Sequence, residues 1–317
     1  MRKTYSRLLI AALLTLGAGA NAYAEGFDVR QFSPIAGSEG VFSVESTKTM
    51  AHTAFDVKVL ADYANTPLKY DVAIPGDISE IRTAKMEHLV TMNVSAAIGL
   101  LDFLEVGVAV PVVPYEAYND DFGALDGLSR DRGYIGDLQV RVKGTILKRE
   151  NYNGFGLGAG LILTMPTGKK SAYLGSPTVT GRPYIAMDYE IGPVEMMLNT
   201  GFTIRDKAEF LDYTLEHGFN YGFGVNWHAV EDWLDVRGEV YGETPLSSKA
   251  KDDHQNSAEF LGGVKFMTPI GLNFTAGAGT GLGDGMRNPK YRVLFGMEYQ
   301  GDNGPDTDGD EIGRAHV

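Results

Sequence analysis

Apolar and polar side chains alternate along this chain in about twelve segments of roughly ten residues each. In the segment 272–282, Leu272 and Phe274 fall on one face, whereas Asn273 and Thr275 fall on the other. Successive side chains of a β-strand point to opposite faces, so each segment predicts a strand with one apolar and one polar face. A closed sheet of such strands, apolar outside and polar inside, is typical of a transmembrane β-barrel.

The connections between the predicted strands alternate in length, with short turns after every even-numbered strand and longer polar links after the others. Bacterial outer-membrane barrels have short periplasmic turns, longer outer loops and an even strand number. We therefore predict an all-β fold, a transmembrane antiparallel up-and-down β-barrel of about 12 strands in the bacterial outer membrane. A count of about 10 or 14 stays open. The predicted strands are 52–63, 88–99, 103–113, 134–147, 154–166, 178–191, 194–206, 217–229, 233–244, 257–268, 272–282 and 290–300.

A soluble β-sandwich is the alternative fold. A soluble barrel would have a charged exterior and an apolar lumen, whereas here the charged residues lie on the polar face that would line the lumen. Aromatic residues such as Tyr63, Trp233 and Tyr299 lie near the predicted strand ends, where membrane barrels place interfacial aromatics. These features favour the membrane barrel.

The N-terminus has the pattern of a secretory signal peptide. Arg2, Lys3 and Arg7 precede the apolar stretch 8–16, and the small-residue site 22–24 follows it. We predict a signal peptide at 1–24, because a membrane-spanning helix needs about 20 apolar residues. A retained inner-membrane anchor is the alternative.

The remaining chain divides into three predicted regions. Residues 25–51 are irregular and predict a periplasmic lead-in or a plug segment, and 52–300 form the barrel. Residues 301–317 form an acidic Asp/Gly-rich linker that begins a calcium-binding-type repeat. Because 311–317 resemble a translated sequencing adaptor, we expect a truncated fragment; a genuine short tail is the alternative.

Composition narrows the range of partners. The formal net charge of −13 argues against nucleic acid, and no cysteine is available for disulfides. The expected partners are therefore outer-membrane lipid and small solutes.

Charged side chains on the polar face of the predicted strands face the lumen by parity. They form either an ion-selective conduit or a set of internal ion pairs that nearly closes the lumen. The two signs are mixed along most strands, which favours pairing. These candidates are Arg141, Lys143, Arg182, Asp188, Glu195, Arg205, Asp235, Arg237, Glu239, Glu259, Lys265, Arg292 and Glu298.

The C-terminal acidic run is a candidate metal site. Asp306, Asp308 and Asp310 place carboxylates at every second residue, a spacing that lets them converge on a hard cation such as calcium. A solvated acidic linker explains the run equally well. We expect no cofactor in the barrel itself.

The chain lacks an arrangement typical of barrel lipases or proteases. Among the histidines only His228 sits in the middle of a predicted strand facing inward, and no serine accompanies it there. We predict that the chain is not an enzyme and has no catalytic residues.

The segment 32–37, the last predicted strand at 291–299 and the Asp run 306–310 together resemble OmpA-family outer-membrane proteins with thrombospondin type 3 repeats. The resemblance implies an OmpA-like module that anchors a periplasmic, peptidoglycan-linked region through a missing C-terminal domain, with weak diffusion of small solutes. It also implies calcium at Asp306, Asp308 and Asp310, although Glu311 departs from the repeat. The alternative function is a dedicated porin or small-molecule uptake channel.

Overall fold

The computed structural model of the chain describes residues 27–74, 77–120, 133–210, 213–246 and 256–301. The predicted signal peptide and the acidic run at 306–310 lie outside these residues. Within the described ranges, no helix is both long enough and apolar enough to cross a membrane.

Fifteen β-strands lie within the described part of the chain, together with two short 3-10 turns at Arg149–Asn151 and Lys170–Ala172. The strands are β1 (Phe55–Ile74), β2 (Asp77–Leu101), β3 (Leu104–Asp120), β4 (Tyr134–Ile135), β5 (Leu138–Leu147), β6 (Phe155–Met165), β7 (Thr180–Ile191), β8 (Val194–Thr203), β9 (Ala208–Phe210), β10 (Tyr213–Leu215), β11 (Gly218–Val230), β12 (Leu234–Pro245), β13 (Ser257–Phe266), β14 (Leu272–Gly281) and β15 (Tyr291–Gly301).

Twelve of these strands close into one antiparallel barrel. Each pairs with its neighbours along the chain, and β1 also pairs with β15, so that Phe55 lies opposite Gly301 and Tyr63 opposite Val293. The short β4 adds to β3, and β9 and β10 form a separate hairpin between β8 and β11. Within the closed part of the wall the strands are paired on both sides, as a lipid environment requires, whereas the outer parts of β1 and β3 extend beyond it. The predicted twelve-stranded barrel is confirmed.

The alternation of side chains follows the predicted parity. Along β15, exposed Val293 and Phe295 alternate with buried Arg292 and Leu294. On β1, Val57 is 46% exposed, whereas Lys58 is 7% exposed. The apolar side chains therefore cover the outside of the barrel.

The link predicted between the first two strands is itself paired strand. β1 and β2 continue beyond the predicted bounds and pair as far as Ile74 opposite Asp77. A register shift between Asn65 and Leu68, with Thr66 at φ 51°, carries β1 past Pro67. A bulge lets a strand absorb a proline that cannot donate to the ladder, so the proline does not end the strand.

Residues 27–51, which we call the inserted segment, lie inside the barrel. Val29 N–H donates to Tyr173 O at the long-loop end, and Met50 N–H donates to Glu105 Oε2 near the short β2–β3 turn. The segment therefore runs the length of the lumen. Short turns face the periplasm in outer-membrane barrels, so the segment leaves the lumen at the periplasmic end and enters β1 there.

Candidate functional site: the occupied lumen

The inserted segment folds back on itself in the lumen. Ile35 N–H donates to Phe42 O at 2.9 Å, and Val41 N–H donates to Val44 O at 3.0 Å. Gly40 has a φ of 143°, and a Cβ there would also meet the backbone of Val44, so the turn requires glycine. The turn aims several backbone N–H groups at the barrel wall.

Glu239 on β12 receives those N–H groups. Its carboxylate accepts hydrogen bonds from the N–H groups of Phe42 at 3.0 Å, Ser43 at 2.9 Å and Val44 at 3.1 Å. The Ser43 hydroxyl donates a further bond at 2.6 Å. Successive N–H groups of this kind form a concave binding site for an anion, here a side chain of the wall. Glu239 thus holds the turn of the inserted segment.

Asp188 on β7 holds the segment nearer the periplasmic end. Its carboxylate accepts from the N–H and the hydroxyl of Thr47, both at 2.7 Å, and from the Ser46 hydroxyl at 3.0 Å. Arg149 makes an ion pair with the same carboxylate and another with Glu195. One buried cluster therefore joins the segment, a periplasmic turn and two strands.

The inserted segment also packs on apolar side chains that point into the lumen. Its residues Phe32, Val41, Phe42 and Val44 form a buried cluster with Leu60, Met197, Tyr241, Leu261 and Leu294 of the wall. Glycines allow the close approach: a Cβ at Gly224 would lie 2.7 Å from Val41 Cγ2, and one at Gly222 would lie 2.9 Å from Val44 Cγ2.

The charges predicted to face the lumen lie in the interior, but their partners are mostly not those on the same strand. Arg141 and Lys143 pair with Glu45 of the inserted segment, each at 3.3 Å. Arg237 pairs with Asp235 of its own strand at 3.2 Å. Further ion pairs of these charges join Lys143 with Glu105, Arg205 with Glu243, Arg292 with Asp62 and Glu259, and Lys265 with Glu298, which also pairs with Lys58.

The alternation of inward and outward positions along the predicted strands did not identify several residues of these ion-pair networks. Glu45 lies on the inserted segment and Arg149 in a 3-10 turn, where a strand period assigns no direction. Glu243, which pairs with both Arg205 and Arg287, lies on β12 next to the predicted strand end. Glu243 could have been found from the sequence, because it lies four residues after Glu239 on the same strand and therefore faces inward as well.

Arg182 and Tyr184 are lumen residues whose polar groups make none of the contacts described above. They lie two residues apart on β7 and line a cavity of about 80 Å³ between the inserted segment and the wall, which we call the Arg182 cavity. Within the described residues, neither the Arg182 guanidinium nor the Tyr184 hydroxyl has a hydrogen bond or ion pair. Asp188, the other predicted lumen charge on β7, lies towards the opposite end of the strand and pairs with Arg149.

A wider cavity opens at the periplasmic end. Its volume is about 470 Å³, and it lies between the last part of the inserted segment and the periplasmic turns. Lys48, Lys148 and Glu150 are among its charged lining residues. This vestibule and the Arg182 cavity lie on opposite sides of the part of the segment that Asp188 holds.

The long-loop end of the lumen is closed by apolar side chains. Phe27 and Val29 begin the inserted segment there, and the Phe27 ring packs edge-on against Tyr173 at 5.4 Å between centroids. Tyr118 and Tyr134 pack against the same cluster. The other members of this outer apolar cluster are Ala64, Leu68, Met86, Leu89, Val113, Ala172, Leu174, Ala208, Leu215 and Met286.

His228 has carboxylate neighbours rather than a serine. Its Nδ1 is 2.7 Å from Asp235 Oδ1, and its Nε2 is 3.9 Å from Glu195 Oε2. These contacts place His228 in the ion-pair network of the lumen, where a hydroxyl nucleophile is not among its hydrogen-bond partners in the described ranges.

The calcium prediction has no support in the described residues. No group of three or more His, Asp or Glu side chains in those ranges is placed to hold a metal ion. Asp306, Asp308 and Asp310 lie outside them.

The barrel is similar to a solved outer-membrane channel from Pseudomonas putida F1. The TM-score is 0.60 at 15% identity, over 80% of this chain and 98% of the other. A NanC porin structure (TM-score 0.48, 10% identity, 77% and 98% covered) and the Pseudomonas putida toluene transporter TodX (0.39, 7%, 86% and 99%) are more distant. A search of curated proteins gives no match. The shared fold is that of an outer-membrane β-barrel, and the predicted outer-membrane location is confirmed.

These comparisons also correct two predictions. The resemblance to OmpA-family proteins with thrombospondin type 3 repeats is wrong, because a different family model matches most of the barrel. The anchoring function that followed from it is wrong too, and with it the peptidoglycan partner loses its basis. Alternation along a strand is common to membrane barrels of every family, and the Asp run at 306–310 is short, so the two did not discriminate between families.

The family model that matches is described as putative MetA-pathway of phenol degradation, and the match extends over residues 86–291, from β2 to the start of β15. That range includes the strands that carry Asp188, Arg182 and Glu239. A match over more than half of the chain identifies the family, so this occupied outer-membrane barrel belongs to the family described as putative MetA-pathway of phenol degradation.

Proposed function

We propose that this protein is a dedicated outer-membrane channel for the uptake of small aromatic molecules such as phenols. A small-molecule uptake channel is the alternative function that the sequence left open, and small aromatic molecules are the solutes we now assign to it. The family description, which refers to phenol degradation, supports that class.

The outer apolar cluster is the observation that carries the proposal. Among the described residues, Phe27, Tyr173 and the surrounding apolar side chains fill the outer end of the lumen, so a solute that enters there passes apolar side chains. Apolar side chains favour an apolar solute and disfavour a hydrated ion, since burial of apolar surface contributes about 25 cal/mol per Å². Open porins for polar solutes have a polar, water-filled interior instead.

The inserted segment is the gate in this proposal. It lies between the outer end of the lumen and the periplasmic vestibule, and separate polar contacts at Glu239, Asp188 and Glu45, together with a buried apolar cluster, hold it to the wall. A solute passes when these contacts break and the segment shifts within the lumen. The wall remains intact because its backbone hydrogen bonds do not involve the segment.

The experiment measures phenol uptake by cells that lack general porins and carry a cytoplasmic phenol-consuming enzyme. Expression of the protein is expected to raise the initial uptake rate severalfold. A double variant, Thr47→Cys with Gly158→Cys, serves as the matched control. Its disulfide would tie the segment to β6, so uptake should fall when the disulfide forms. Faster uptake of a small sugar but not of phenol would favour a polar-solute porin, and no change for either solute would overturn the channel proposal.

A further inference from the structure

The Arg182 cavity is lined by polar groups that are mostly satisfied within the protein. Asn199 accepts from Glu45 N–H at 2.7 Å and donates to Glu45 O at 2.8 Å. The hydroxyls of Ser33 and Ser43 donate to Gln139 and Glu239, respectively. These groups have little capacity left for a ligand.

Four polar groups on the same cavity have no hydrogen-bond partner in the described part of the chain. Two of them, the Arg182 guanidinium and the Tyr184 hydroxyl, belong to half-buried residues that line the cavity. Gln31 donates from Nε2 to Ser257 O at 3.1 Å, which leaves its buried Oε1 without a partner, and the buried Tyr241 hydroxyl has none either. Buried polar groups in native proteins nearly always have partners, so Gln31 Oε1 and the Tyr241 hydroxyl point to a polar ligand or water in this cavity.

The charge balance around the cavity favours an anion. Its two carboxylates are already shared: Glu45 pairs with Arg141 and Lys143, and Glu243 pairs with Arg205 and Arg287. Glu243 Oε2 also accepts from Thr203 and Asn220, each at 2.9 Å. Arg182 therefore adds a positive charge that no neighbouring carboxylate contacts.

Part of the remaining surface of the cavity is apolar or aromatic. A Cβ on Gly160 would collide with the Tyr184 ring, so the glycine makes room for that ring against the wall. Tyr241, Ile162 and Val44 are buried in the lining, which also includes the polar side chains of Thr200 and Asn220. A flat ring fits such a surface, while a guanidinium binds a carboxylate through two parallel hydrogen bonds.

We propose that the Arg182 cavity binds a small aromatic carboxylate, with Arg182 and Tyr184 donating to the carboxylate oxygens. The inference rests on the proposed uptake function and adds ring compounds that carry a carboxylate to its solute class. Gln31 Oε1 offers an acceptor to a hydroxyl on the ring.

The test is calorimetric titration of the purified full-length protein in detergent with sodium benzoate, and with benzyl alcohol as its neutral counterpart. Benzoate is expected to bind saturably and at least about tenfold more tightly than benzyl alcohol. Arg182→Gln should weaken benzoate binding on the order of tenfold, and Tyr184→Phe by a smaller factor. Arg182→Lys should restore part of the affinity, because it returns the charge without the paired geometry.

Lys148→Gln is the matched control, because it removes one positive charge from the periplasmic vestibule and leaves the cavity intact. Equal loss in this variant would mean that benzoate is attracted by net charge alone and would overturn the inference. Benzoate binding that Arg182→Gln and Tyr184→Phe both leave unchanged would also overturn it. If Arg182→Gln fails to fold, judged by heat-modifiable gel migration, the nearly isosteric Tyr184→Phe decides. Phenol uptake that persists without benzoate binding removes only this inference, whereas benzoate binding without uptake removes only the channel function.

Discussion

Glu239 accepts hydrogen bonds from both the backbone N–H and the hydroxyl of Ser43, at 2.9 and 2.6 Å. Glu239 belongs to the barrel wall and Ser43 to the turn of the inserted segment, so this contact joins the two. Glu239 is 2% exposed and makes no ion pair with any described residue. The N–H groups of the segment are therefore the main compensation for a buried charge.

Glu239→Gln is expected to loosen the inserted segment. An amide offers one acceptor oxygen and turns an NH₂ group towards N–H donors, and each hydrogen bond to a charged group contributes about 1.5–3 kcal/mol. Single-channel recordings in planar bilayers should show more frequent and longer conducting events than the parent protein. Glu259→Gln is the control, since Glu259 bonds Arg292 of the wall rather than the segment. Equal behaviour of the two variants would contradict a holding role for Glu239.

A disulfide can lock the segment in place. A Cβ on Gly158 would lie 3.6 Å from Thr47 Cβ, within the range that disulfides adopt, and the native chain has no cysteine to compete. Thr47→Cys with Gly158→Cys should form the bond under oxidising conditions, seen as a mobility shift on non-reducing gels. Solute flux should fall when the bond forms and return when it is reduced. Solute flux that is the same under oxidising and reducing conditions would show that the segment need not move. Either single-cysteine variant is the control.

Gly156→Ala is expected to disturb the periplasmic anchor. A Cβ at this position would collide with Asp188 Oδ1 and Thr47 Oγ1, so it would force the carboxylate and the hydroxyl apart. Overpacking of this kind costs about 1–3 kcal/mol. The expected result is faster protease cleavage within 27–51, read by mass spectrometry. Gly238→Ala is the control, because the nearest atom to its Cβ is 3.8 Å away; equal cleavage in both would refute the anchor.

Phe295→Arg tests the lipid-facing wall. Phe295 lies in the middle of β15 and is 58% exposed outside the barrel. An arginine near the middle of the bilayer costs about 2–4 kcal/mol in a transmembrane barrel. Denaturant unfolding in lipid vesicles should show a loss of that size, whereas Phe295→Leu should stay close to the parent. No loss in Phe295→Arg would mean that this face does not contact lipid.

Apolar residues on the inward faces of the strands could have predicted that the lumen is filled, which the alternation of apolar and polar positions does not show. Leu60 shares the inward face of β1 with Lys58 and Asp62, and Leu294 shares that of β15 with Arg292. An aliphatic side chain facing a water-filled lumen would be exposed, so these positions predict something that covers them. Phe42 of the inserted segment covers them in the structure.

The sequence by itself determined the wall of this barrel, because side-chain direction in a strand has a local period of two. Val293 and Arg292 face opposite sides whatever the rest of the chain does. Only the tertiary structure decided which charges meet. Arg205 pairs with Glu243, and Glu45 reaches Arg141, because barrel closure and insertion of the segment bring together residues far apart in sequence. Arg182 has no ion pair among the described residues, because Asp188 lies six residues further along the same strand, about 20 Å away, where it pairs with Arg149.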